Sequence, residues 1–163
     1  MHKSLRGVLA LFAALALIGL AAVGAQATSG AHFFRDTGGA VAGNGALVVT
    51  IDEAGVGQQL VNYTLDWSGT ATYACINGGD NHPKAANKAT ISGGGESSFS
   101  ESPINGRVMA SFTVPGTPPG PGDFSCPPGQ TMVLAAVSYS ATLTDTTNNV
   151  STDVTASRTF FNV

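Results

Sequence analysis

Apolar and polar residues alternate along most of the second half of the chain, which is the pattern of half-buried β-strands. In Arg107–Val114, for example, the residues at positions 108, 110, 112 and 114 are all apolar. Similar alternation predicts strands at Ala46–Asp52, Gln59–Trp67, Thr70–Asn77, Lys88–Ser92, Ser97–Glu101, Thr131–Asp145 and Val150–Phe161. No long segment has the three- and four-residue spacing of a buried helix face.

Glycine, asparagine and proline separate these runs. Ser68-Gly69 predicts a turn or a bulge, Gly93–Gly95 predicts a break between two weak strands, and Asn105-Gly106 predicts a tight turn. Pro115–Gly129 contains six of the eight prolines and is predicted to be a loop, because proline lacks the backbone donor that an inner strand needs. About seven to nine short strands in one small domain predict an all-β, antiparallel immunoglobulin-like β-sandwich, with a barrel as the alternative.

The N-terminus has the three zones of a secretory signal peptide. Basic residues at Lys3 and Arg6 precede an uncharged apolar run, Val8–Val23, and Ala25-Gln26-Ala27 supplies small residues for cleavage. The alternative is a membrane anchor, but the run is shorter than the roughly 20 residues that span a bilayer. We therefore expect a signal helix at residues 1–27, a single secreted domain at residues 28–163, and no membrane association after cleavage.

Export changes the expected charge and redox state. Cleavage removes two of the seven basic residues and none of the ten acidic ones, and an acidic product without a basic cluster argues against binding to nucleic acid. Cys75 and Cys126 are the only cysteines, and an oxidising compartment favours a disulfide between them over two free thiols.

The sequence contains no recognisable catalytic motif and implies no cofactor or metal. The polar, glycine-rich segment that follows the predicted strand ending at Asn77 is a candidate binding loop through Asn77, Asp80 and His82. Its oxygen atoms could hold calcium, although an ordinary turn-rich loop is the simpler interpretation. Carboxyl pairs suitable for glycoside hydrolysis can be drawn from Asp66, Asp80, Glu96 and Glu101, but spacing alone selects none of them.

The proline-rich loop is the second candidate. Asp123 and Phe124 lie on it, and a stiff exposed loop loses little entropy on contact with a partner. The alternative is that Phe124 folds back onto the core. A disulfide to Cys126 would place this loop and the Asn77 loop at one end of the sandwich. Trp67 could stack on a carbohydrate if it faced outward, but its alternation with Leu65 predicts core packing.

Two segments, Thr72–Lys84 and Gly120–Pro127, resemble pieces of small secreted bacterial proteins of unknown function that have an immunoglobulin-like sandwich. That resemblance covers about residues 60–145 and implies no activity. In size and predicted architecture the chain is also similar to the neocarzinostatin-like chromophore-binding apoproteins, which typically have two disulfides where this chain can form one.

The leading hypothesis is a secreted, non-enzymatic β-sandwich that acts as an extracellular binding or structural module. Its partner is unknown; a cell-wall component, an extracellular protein and a small molecule are the candidates. The alternatives are a small-molecule carrier or protease-inhibitor-like binder and a small extracellular hydrolase.

Overall fold

A computed structural model describes residues 30–77 and 87–163. The expected signal helix at residues 1–27 lies outside the described residues. The described part forms eight strands, which are β1 (His32–Phe33), β2 (Gly38–Val41), β3 (Leu47–Ala54), β4 (Val61–Asn77), β5 (Lys88–Glu101), β6 (Arg107–Thr113), β7 (Gln130–Asp145) and β8 (Val150–Thr159).

The strands form two antiparallel sheets. In the first sheet, β3 pairs with β6 on one side and with both β1 and β2 on the other. The second sheet has the order β5-β4-β7-β8. The β3–β6 pair faces a sheet built around the β4–β7 pair, as in an immunoglobulin-like sandwich, and β5 is an additional edge strand beside β4. The predicted sandwich is confirmed.

The inner faces of the two sheets enclose one hydrophobic cluster. The alternation in β4 places Val61, Tyr63, Leu65 and Trp67 inward, and all four side chains are buried. β3, β7 and β8 contribute the remaining centre of the core, which includes Leu47, Val49, Ile51, Val137, Tyr139, Ala141, Leu143 and Val154. Burial of this many apolar side chains is the main favourable contribution to folding.

An aromatic stack fills the core beside β5 and β6. The ring of Phe99 on β5 stacks on Tyr63 at 5.3 Å and on Phe112 of β6 at 4.3 Å between ring centroids. These contacts join the second sheet to the first where no backbone hydrogen bonds connect them.

Two predicted interruptions are wrong. β4 runs through Ser68-Gly69 without a break, and β5 runs through Gly93–Gly95. Gly69 lies opposite Tyr139, and a Cβ atom at Gly69 would come within 2.5 Å of the tyrosine ring. A Cβ at Gly93 would similarly come within 3.0 Å of Pro119. These glycines therefore make room for side chains of the core and do not turn the chain.

Other local predictions agree with the structure. Asn105 and Gly106 both have positive φ, at 52° and 74°, and hydrogen bonds between Ile104 and Arg107 close a two-residue turn around them. Pro115–Gly129 contains no strand. The short strands β1 and β2 lie in a stretch for which the sequence predicted no element. Among the described residues there is no helix long and apolar enough to cross a membrane.

Candidate functional site

The predicted disulfide is present. Cys75, near the end of β4, is bonded to Cys126 in the proline-rich loop, with 5.5 Å between the Cα atoms. The bond joins two cysteines that are 51 residues apart in the sequence, and it holds the loop beside the end of the second sheet.

Three of the candidate residues of the two loops, Asn77, Asp123 and Phe124, lie within the described part of the chain, each within three residues of a cysteine of this disulfide. Asn77 is exposed at the last position of β4, and Asp123 is exposed on the proline-rich loop. Phe124 is half-buried and packs against the core cluster. Asp80 and His82 lie outside the described residues.

The proline-rich loop covers the part of the second sheet that extends beyond the first. The Tyr73 hydroxyl donates to the carbonyl of Pro119 at 2.7 Å, and Pro119 itself is buried. The Thr117 hydroxyl donates to the carbonyl of Val114 at 2.7 Å and accepts from the backbone N–H of Leu47 at 2.9 Å. Because these bonds hold the loop against the core, its first half acts as a cover for the sandwich.

The outer face of the second sheet carries mostly hydroxyl side chains. We call it the hydroxyl face. The register of the four strands sets its outward side chains in rows across the sheet. Its members are Thr90, Ser92, Gly94, Glu96, Ser98 and Ser100 on β5; Asn62, Thr64, Asp66, Ser68, Thr70 and Thr72 on β4; Ser138, Ser140, Thr142 and Thr144 on β7; and Ser151, Asp153, Thr155 and Ser157 on β8.

Hydrogen bonds between neighbouring strands order this face. The hydroxyl groups of Thr70 and Ser138 lie 2.9 Å apart, and those of Thr72 and Thr90 lie 3.1 Å apart. Each of these hydroxyl groups keeps further donor or acceptor capacity after one bond. The face therefore offers a repeating set of donors and acceptors to solvent.

An open groove of about 460 Å³ crosses the centre of the hydroxyl face. Asp66 and Ser68 of β4 line one side, and Ser140 and Thr142 of β7 line the other. Where the groove reaches β5 it is lined by Gly95, which has no side chain. A site of this shape suits a chain lying across the sheet better than an enclosed small molecule.

Acidic side chains lie in one row of the face. Glu96 is directly opposite Asp66, and Asp153 follows two strands away in the same row. The Thr142 hydroxyl donates to Asp153 at 3.1 Å. Asp66 and Glu96 are both exposed to solvent.

A second polar cluster is buried at the opposite end of the sandwich. Glu53, at the end of β3, is fully buried, and its Oε2 accepts a hydrogen bond of 2.7 Å from the hydroxyl of Tyr63. Burial, together with the neighbouring Asp145, raises the pKa of Glu53 to about 7, although the Tyr63 bond works against this shift. The same burial and the contact with Glu53 raise the pKa of Tyr63.

Asp145 is also fully buried but has a different set of partners. Its Oδ1 accepts from the backbone N–H groups of Thr147 and Asn148, at 2.7 and 2.9 Å, and its Oδ2 accepts from the Asn148 amide at 2.6 Å. These hydrogen bonds order the turn between β7 and β8. Solvent reaches neither carboxyl group.

The sequence did not predict that Glu53 and Asp145 lie together. The signal was present, because each continues the inward alternation of its strand, after Ile51 and Leu143 respectively. A carboxyl group on an inward position is the pattern to look for.

One ion pair lies beside this cluster. Arg107 of β6 binds Asp52 through two hydrogen bonds, and its guanidinium lies 4.9 Å from the ring centroid of Phe34. The hydrogen bond from Arg107 lowers the pKa of Asp52. Within residues 30–77 and 87–163 no group of three or more His, Cys, Asp or Glu side chains is placed to hold a metal ion.

No protein-family model, curated protein or solved structure matches this chain. Its function must therefore be argued from the surfaces described above.

Proposed function

We propose that this protein is a secreted, non-enzymatic binding module, and that its hydroxyl face binds a hydroxyl-rich extracellular polymer such as a cell-wall polysaccharide. The observation that carries the proposal is the contrast between the two faces of the second sheet. The inward positions are apolar and packed, whereas the outward rows from Asn62 to Thr70 consist of hydroxyl, amide and carboxyl side chains and glycine.

The spacing of the hydroxyl face favours an extended ligand. Neighbouring strands lie about 4.8 Å apart and alternate residues on a strand about 6.7 Å apart, so the donors and acceptors repeat in two directions. A polysaccharide repeats its own hydroxyl groups, and serine and threonine hydroxyls can either donate to them or accept from them.

The carboxylates add stronger contacts. Asp66 in the groove and Glu96 beside it can accept hydrogen bonds from sugar hydroxyls, and bonds to an ionised acceptor are roughly twice as strong as neutral ones. Both groups are exposed, so a ligand reaches them without displacing the core.

Two further observations favour an extracellular setting. The Cys75–Cys126 disulfide is compatible with an oxidising compartment. The N-terminal sequence predicts export, with cleavage after Ala27.

The test is co-sedimentation of the purified protein with insoluble cell-wall polysaccharides, followed by titration calorimetry with soluble fragments. An Asp66→Asn/Thr142→Val variant removes an acceptor charge and a hydroxyl from opposite walls of the groove. We expect it to bind about tenfold or more weakly, which corresponds to the loss of about 1.4 kcal/mol.

The matched control is Asp123→Asn, which removes a carboxylate from the proline-rich loop and should leave binding unchanged. Loss of binding in the control alone would assign the site to the disulfide end of the sandwich. Release of new reducing ends by the wild-type protein would instead identify a hydrolase, and failure to bind any polysaccharide would contradict the proposal.

A further inference from the structure

β5 forms a long edge of the second sheet. It extends from Lys88 to Glu101 and pairs only with β4 among the described residues. Its register with β4 has no bulge, and it contains no proline and no residue with positive φ. The alternate backbone N–H and C=O groups on its free side can therefore pair with another strand.

The other edges of the sandwich are better protected. β8 lies against β2, where Arg158 donates to the carbonyl of Val41 at 3.3 Å. β2 and β6 are only four and seven residues long, and proline follows β6 at Pro115. Short strands, proline and coverage by another element are the usual means by which proteins protect sheet edges. Among residues 30–77 and 87–163, β5 is long, contains no proline and has no strand on its free side.

The charges on β5 identify the partner. The strand has three charged side chains, Lys88, Glu96 and Glu101, and only Lys88 and Glu96 face outward together. The two charges are opposite in sign and lie eight positions apart, with Ser92 midway between them. When such a strand pairs with a second copy of itself in antiparallel orientation, Lys88 of each copy lies directly opposite Glu96 of the other.

The surroundings of Glu96 also favour a cation. Asp66 lies directly opposite it on β4, and like charges in that position destabilise a sheet. No lysine or arginine of the described chain forms an ion pair with either residue; the ion pair present is that of Arg107 with Asp52. The Lys88 ammonium group donates an exposed hydrogen bond of 3.4 Å to the backbone oxygen of Val163, and an ammonium group has two further donors for a new partner.

We propose that two copies of this chain associate edge to edge through β5, with Ser92 on the two-fold axis and Lys88 of each copy paired with Glu96 of the other. The segment between these charges contains small residues except Ile91, so two strands can approach to the usual separation of about 4.8 Å. The axis is perpendicular to the sheet, because outward residues must pair with outward residues.

This geometry joins the second sheets of two copies into one eight-stranded sheet. Both hydroxyl faces then lie on the same side. The dimer does not depend on the proposed polysaccharide binding, but it would double the surface available to an extended ligand and raise its apparent affinity by multivalency.

The test is a charge exchange followed by light scattering and sedimentation velocity. We expect wild-type protein to show a dimer mass at high micromolar concentration. Lys88→Glu alone and Glu96→Lys alone each place like charges opposite one another twice in the dimer, and each should weaken association by about tenfold or more.

Mixing the two single variants restores both opposite-charge pairs, and so does the K88E/E96K double variant. Both samples should recover the wild-type dimer. Asp153→Lys makes the same charge change on β8, far from the β5 edge, and should leave association unaffected.

A monomer mass for the wild-type protein up to about millimolar concentration would overturn the proposal. A dimer that the single variants do not weaken, or that the mixture does not restore, would overturn the assignment to β5 and its register. Weakening by Asp153→Lys equal to that by Glu96→Lys would show a dependence on net charge alone and would also overturn it. Circular dichroism of each variant identifies any that has not folded.

Discussion

Replacement of Glu53 by glutamine should make the protein more stable at pH 8 and remove much of its pH dependence. Glu53 is fully buried, its Oε2 accepts the Tyr63 hydroxyl, and its Oε1 has no hydrogen-bond partner. Its pKa is raised from 4.5 to about 7. The folded protein therefore holds a proton at this carboxyl over a range of pH in which the unfolded chain has released it.

The sign and size of the effect follow from this difference. Between about pH 4.5 and pH 7 the folded state binds more protons than the unfolded state, so the free energy of unfolding falls as the pH rises. At roughly 1.4 kcal/mol per pH unit, the whole decrease is about 3 kcal/mol. The lowered pKa of Asp52 acts in the opposite sense and at lower pH, because the ion pair with Arg107 is lost as Asp52 becomes protonated.

The assay is urea unfolding at intervals from pH 4 to pH 8, followed by the fluorescence of Trp67, the single tryptophan, which is buried. We expect Glu53→Gln to resemble the wild type near pH 4.5 and to exceed it by about 3 kcal/mol at pH 8. The glutamine amide mimics a protonated carboxyl, so it keeps the acceptor for Tyr63 and adds a donor towards Asp145.

The control is Asp123→Asn, which neutralises an exposed carboxyl of the proline-rich loop and should follow the wild-type curve. Parallel curves for Glu53→Gln and the wild type over the whole range would refute the reasoning, since Glu53 would then carry no proton that the unfolded chain lacks.

Two further predictions concern covalent and steric constraints on the fold. Replacing both Cys75 and Cys126 by alanine should lower the free energy of unfolding by up to about 4 kcal/mol, because the unfolded chain regains the entropy of an open loop; equal melting temperatures for the oxidised wild type and the variant would contradict this expectation. Gly69→Ala should cost about 1–3 kcal/mol, because its Cβ would meet the buried Tyr139 ring at 2.5 Å. Gly43→Ala, where nothing lies within 4 Å of the new Cβ, is the matched control for thermal unfolding, and similar losses in the two variants would show that the tyrosine contact is not the cause.

The candidate site was only partly predictable from the sequence. The disulfide was predictable because two cysteines leave one pairing, and it sets Asn77 and Asp123 near one end of the sandwich. The inward packing of Trp67 was also predictable from its alternation with Leu65. The rows of the hydroxyl face were not predictable from the sequence. Alternation within β4 places Asp66 on an outer face, but the register between β4 and β5, which places Glu96 beside it, depends on the tertiary structure.

The sequence by itself determined which side of strands such as β4 and β6 is apolar and where the tight turn at Asn105-Gly106 falls. These features depend on the two-residue period of a strand and on residues that accept positive φ, and both are local. The tertiary structure alone decided that Gly69 and Gly93 continue strands, that Glu53 meets Asp145, and that β5 pairs on one side only among the described residues. Each of these outcomes depends on a neighbour distant in sequence, and the alternation of one strand does not specify which strand lies beside it.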